Sequence, residues 1–153
     1  MERQKNLKRL RTLLSLLFLF IAVNSLIPGD ISETESQSVA YFIFRNSEVM
    51  SVTMGQLPWI LAHAIIRKIG HFLEYACLGM LLLFYETMKL QEDVREPADV
   101  ISLRVPFMIQ LLRTGLLIGL MDESLQLLAP GRWGSIMDIW IDTLGFALGV
   151  LVT

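Results

Sequence analysis

Arg67, Lys68, His71, Glu74 and Tyr75 stand together at the head of a segment, residues 67–88, that is otherwise apolar and long enough to cross a bilayer. At helical spacing Arg67, His71, Glu74, Tyr75 and Leu78 fall on one face, so the polar groups form a stripe. Two further sets follow. Asp122 and Gln126 are four apart, beside Glu123, near the end of the apolar run 106–128. Ser135, Asp138 and Asp142 share a face with Gly145 and Gly149 at the start of the last apolar run. A carboxylate in hydrocarbon costs about 2.5–3.5 kcal/mol even on insertion-based scales, so these groups must be paired, wetted or used.

Three kinds of chemistry suit these residue types. Arg67, Lys68 and Arg132 could clamp a phosphate, arginine being well shaped for bidentate contact. His71 with Glu74, Asp122, Glu123, Asp138 or Asp142 could hold a divalent cation, or share proton transfer as catalytic acids and bases. The bland alternative is an ion-pair network that only holds helices together. It suits any single residue better than the set, because apolar and small-residue contacts would join helices at lower cost than nine ionisable groups at one end. No HExxH, CxxC, phosphate-cradling glycine loop or nucleophilic serine motif narrows the choice. His63 reads as an ordinary interfacial residue.

The elements that must position these residues are helices. The chain has 153 residues, is 54% hydrophobic and 18% charged, and has a mean hydropathy of +0.55, which marks an integral membrane protein. Residues 2–11 are basic and lead into the apolar run 12–27; no small-residue cleavage site closes that run, so it reads as a retained first helix ended by Pro28-Gly29-Asp30. Residues 30–57 are hydrophilic. Ser32-Glu33-Thr34-Glu35 has the form of a capping box before Val39–Phe44, which suggests a short interfacial helix in the first outer loop, either a connector or a lid.

From Pro58 the helical pattern runs to Met88. Residues 89–105 read as a solvated connector, the next helix as starting at Pro106, and Ala129-Pro130-Gly131 as a turn. The fold class is therefore all-α, with transmembrane helices at about 10–27, 67–88, 106–128 and 135–152. Gly145 and Gly149, and Gly115 and Gly119 on the preceding helix, would allow close helix approach.

The N-terminus and the 89–105 connector carry eight Lys and Arg, against four on the other side, so both termini are expected in the cytoplasm. Trp59, Trp133 and Trp140 then fall at or near the outer boundary, with the polar end of each later helix. Three polar faces can meet there in one outward pocket. The net charge of −2 and the scattered basic residues exclude nucleic acid as a partner. Cys77 stands alone and reads as a small apolar packing residue. Oligomeric state is not legible.

The pattern Arg67-Lys68-x-x-His71-Phe72-x-Glu74-Tyr75, then Asp122-Glu123-x-x-Gln126 with Pro130-Gly131-Arg132, then Ser135-Ile136-x-Asp138 and Gly145-x-x-x-Gly149 resembles the VanZ-like family. These are small multi-pass bacterial membrane proteins whose namesake is associated with teicoplanin resistance. The resemblance spans about residues 58–152 and implies one VanZ-like membrane domain in the bacterial plasma membrane. Asp142 departs from the asparagine usual in the family and adds a carboxylate. The expected function is binding of an anionic, lipid-linked envelope molecule by Arg67, Lys68 and Arg132. His71, Glu74, Tyr75, Asp122, Glu123, Gln126, Asp138 and Asp142 would order the pocket. The alternative is a membrane-embedded hydrolase or transferase acting on a polyprenyl-phosphate or phospholipid.

Overall fold

The computed structural model describes residues 2–45, 57–93 and 97–152, so residues 46–56 of the hydrophilic stretch and 94–96 of the connector lie outside it. The described chain is all helix: α1 (Glu2–Leu26), α2 (Gly29–Phe44), α3 (Leu57–Asp93), α4 (Pro97–Gln126) and α5 (Ile136–Leu151). Three of them, α1, α3 and α4, are long and apolar enough to cross a membrane. Helix α5 has 16 residues, about 24 Å at 1.5 Å each, short of the roughly 30 Å hydrocarbon core. Four spans were expected from the sequence; length and hydropathy support three.

Several boundaries differ from expectation: α1 begins at Glu2, ahead of the expected apolar run, and α3 continues past Met88 to Asp93. Helix α4 starts at Pro97 and contains Pro106. Pro97 suits a first turn, and the polar residues after it are ordinary helix formers, so the helix extends back into the expected connector at the cost of the amide Pro106 lacks. Helix α2 starts at Gly29 with Pro28 as its N-cap and no side-chain cap, so Ser32 and Glu35 form no capping box. Ser32 already lies in the first turn, and its hydroxyl is engaged elsewhere.

The core joins Ile21 of α1, Tyr75 and Leu78 of α3, Leu111 of α4, and Phe146 and Val150 of α5. Helix α5 lies along α3 and against α4; α1 packs on α3 and α4, and α2 on α3. The α3–α5 seam is closed by glycine. A Cβ on Gly145 would strike the Phe72 carbonyl, one on Gly149 the Ala76 carbonyl, and one on Gly79 the Phe146 carbonyl. Gly115 of α4 faces the Phe146 ring, where a Cβ would sit 2.5 Å from Cδ1, and Gly119 lies beside Asp142. Backbones without side chains between them can approach this closely, which is how helices gain contact where lipid gives no hydrophobic drive.

The outward faces are apolar in the manner of a lipid-solvated bundle: Leu16, Leu19, Phe20, Leu73, Phe84, Leu117 and Leu144 are all exposed. Cys77 is exposed too, on the outer surface of α3 instead of packed inside. Of the tryptophans, Trp133 and Trp140 are exposed while Trp59 is buried. At the opposite end of the bundle the Arg3 side chain hydrogen-bonds the Met88 carbonyl, tying the start of α1 to the end of α3.

Candidate functional site

Antiparallel packing brings the end of α1, the first turns of α2, the middle of α3, the end of α4 and the start of α5 to one level. The turn between α4 and α5 is fixed there. Gly131 takes φ +71°, a conformation that favours glycine, and the Gly29 amide donates to the Pro130 carbonyl at 2.9 Å. A Cβ on Gly29 would meet the Gly131 carbonyl. This latch places Arg132 over α2, where its Nη2 donates to the Ser32 hydroxyl at 2.7 Å.

Between α1, α2, α3 and that turn lies a cavity of about 240 Å³, lined by Asn24, Ser32, Arg67, His71, Glu74 and Arg132 with the apolar side chains Ile27, Val39 and Ile66. A second cavity of about 350 Å³ shares Arg67 and Arg132 and adds Gln126 and Trp133. Among the described residues neither guanidinium has a carboxylate within 4.0 Å. Arg132 Nε is buried without a hydrogen-bond partner. Burial, followed by the like charge of Arg67, draws the Arg132 pKa below the ordinary guanidinium value.

Beneath the cavity the acidic residues sort into separate tasks. Asp122 is buried and held by the Ser25 hydroxyl, which also reaches the Ile21 carbonyl at 2.8 Å; Gln126 Nε2 donates to Asp122 Oδ2 at 3.0 Å. Glu74 accepts from Asn24 Nδ2 at 3.3 Å. Glu123 accepts the Ser135 amide at 2.7 Å, satisfying a donor at the start of α5 in place of the absent side-chain cap. Asp138 pairs with Lys68. Asp142 is fully buried, with no hydrogen-bond partner on either carboxylate oxygen. His71 Nδ1 lies 3.7 Å from Asp142 Oδ1 and 3.9 Å from Asp122 Oδ2.

Arg67, His71, Glu74, Gln126 and Arg132 thus line the two cavities, and Asp122 and Asp142 stand behind His71. Lys68 turns away to Asp138. Tyr75 is buried in the apolar core with its hydroxyl 3.5 Å from the Ile118 carbonyl, and Glu123 caps α5. Asn24, Ser25 and Ser32 were not expected at the site; Ser32 was expected only as a helix cap. The signal for the first two was two polar residues closing an apolar helix at the same level as the other polar ends.

The model of the VanZ/LLP1 family matches residues 11–153, nearly the whole chain. The chain belongs to the VanZ/LLP1 family. Membership reaches beyond the motif-bearing part to take in α1 and α2, the helices that supply Asn24, Ser25 and Ser32. No curated protein and no solved structure matches the chain.

Proposed function

We propose that this member of the VanZ/LLP1 family is a bacterial plasma-membrane protein that binds the anionic head of a lipid-linked envelope molecule at the outer end of its bundle. The observation that carries the reading is the pair Arg67 and Arg132 on the wall of one cavity, each, among the described residues, without a carboxylate within 4.0 Å. Two like charges held together beside apolar side chains favour an anion between them, and guanidinium meets phosphate oxygens bidentately. Ile27, Val39 and Ile66 give the cavity an apolar side suited to the first carbons of a lipid tail. Glu35 and Glu74 also line it, so recognition rests on the placed guanidiniums and not on a uniformly positive surface.

In this reading α5 makes a fourth, short crossing, both termini are cytoplasmic, and occupancy of envelope lipids is the route by which the protein would influence teicoplanin sensitivity. Native mass spectrometry of the purified protein with a polyprenyl phosphate tests it. The wild type retains the lipid, and Arg67→Gln with Arg132→Gln loses it at least tenfold without a change in helical content. Equal binding by the double variant overturns the reading. A second reading, a membrane-embedded hydrolase or transferase, draws on His71 at the cavity wall. Release of phosphate from the same lipid, lost on His71→Ala, would favour it.

A further inference from the structure

We infer that His71, Asp122 and Asp142 form a binding site for one divalent transition-metal ion, of which Zn²⁺ is the simplest. Each offers one donor, His71 Nδ1 and a carboxylate oxygen from each aspartate, and the three atoms lie within 4.8 Å of one another. They come from α3, α4 and α5, so the cluster is a meeting point of three helices and not a run of acids on one.

Three donors about 2.1 Å from a common ion stand about 3.4–3.6 Å apart in tetrahedral to trigonal arrangements. The His71 distances of 3.7 and 3.9 Å need inward shifts of a few tenths of an ångström. They are too long for hydrogen bonds, so the cluster does not satisfy itself. His71 Nδ1 and both oxygens of the fully buried Asp142 have no partner. Among the described residues no Lys or Arg lies within 4.0 Å of Asp122 or Asp142.

As ligands, two ionised carboxylates and a neutral imidazole would bring a charge of −2, which a divalent ion cancels. The mixed nitrogen and oxygen set suits Zn²⁺ better than Mg²⁺ or Ca²⁺, which take oxygen throughout. The arrangement behind the donors fits as well. Ser25 and Gln126 both hold Asp122, fixing its carboxylate as the outer partners of metal ligands do. The ion would lie behind the cavity that Arg67 and Arg132 line. The site does not depend on lipid being bound.

The test uses the full chain in detergent, stripped with EDTA, loaded with ZnCl₂, desalted and measured for bound metal and melting temperature. About one Zn²⁺ per chain and an EDTA-reversible rise in melting temperature are expected. His71→Ala and Asp142→Asn should each retain less than a tenth as much, while His63→Ala retains it all. Asp142→Asn keeps the side-chain shape and removes a buried charge; its circular dichroism reports whether it folds. X-ray absorption of the wild type gives a check free of variants: one imidazole with oxygen neighbours is expected, and a sulfur neighbour from Cys77 would overturn the site. Wild-type retention no greater than that of Asp142→Asn would also overturn it, leaving a cluster that shares protons. Arg67→Gln with Arg132→Gln keeps the ion; unchanged lipid binding by that variant with metal retained counts against the proposed function alone, and a wild type that binds lipid but retains no metal counts against this site alone.

Discussion

Helix α3 has two unlike sides. Toward α5 it is pressed so close that Gly145 and Gly149 meet its carbonyls and Gly79 meets a carbonyl of α5. Toward α1 and α2 the packing leaves a cavity of about 240 Å³, walled by Arg67, His71 and Glu74. The first side uses small residues to maximise backbone contact; the second uses long charged ones and leaves space. Consecutive residues divide between these sides: Lys68 joins Asp138 of α5, while Arg67 faces the cavity and, among the described residues, has no carboxylate within 4.0 Å. A close seam gives rigidity, and an open face beside it is where an outside molecule can enter without parting the helices.

Breaking the seam should have the largest effect. Phe146→Ala, which removes a fully buried ring lying between Gly115 and Tyr75 in the core, should destabilise by about 3–5 kcal/mol, read as a lower melting temperature in detergent. Gly149→Ala forces a methyl against the Ala76 carbonyl and should cost about 1–3 kcal/mol by the same measurement. On the open side, Arg67→Gln should weaken binding of a polyprenyl phosphate by about 10- to 100-fold, the worth of a charged hydrogen bond of about 1.5–3 kcal/mol, with melting unchanged. Ser32→Ala, which frees Arg132 from its tether, should weaken the same binding by about fivefold, equivalent to about 1 kcal/mol. Lys68→Gln gives the smallest change, under about 1 kcal/mol in stability for a partly exposed pair and none in lipid binding. If Lys68→Gln weakened binding as much as Arg67→Gln, the division between the two sides would fail.

Much of the seam was legible in the sequence. Gly145 and Gly149 repeat at one helical turn, and periodicity alone puts them on a face with Asp138 and Asp142. The convergence of polar ends was legible from the spans themselves, since successive antiparallel helices bring alternate ends to one level. The division of labour was not. Lys68 follows Arg67 and differs from it by only 100° of rotation, and which neighbour each meets depends on where α5 and α2 lie. Tyr75 belongs to the polar stripe by spacing, yet it sits at the depth where α1, α4 and α5 close over α3, and so becomes core. Ser25 is one of three hydroxyl residues on α1, with Thr12 and Ser15; only its arrival beside Asp122, 97 residues away, makes it a partner.

The glycine seam also bears on how the chain enters a membrane. Helix α5 is the shortest after α2 is set aside, and it carries Asp138 and Asp142, each costing about 2.5–3.5 kcal/mol at mid-bilayer against about 0.3–0.6 gained per leucine. A helix of this length and charge has little tendency to leave the translocon alone. The groove along α3, bared by the absence of side chains at Gly79 and shaped for Gly145 and Gly149, is already in place to receive it, with Lys68 and His71 waiting at the level of its two aspartates. In the proposed four-span arrangement the seam is thus also a docking track, and a substitution there should show first as chains whose α5 stays outside the bilayer, before any loss of ligand is measurable.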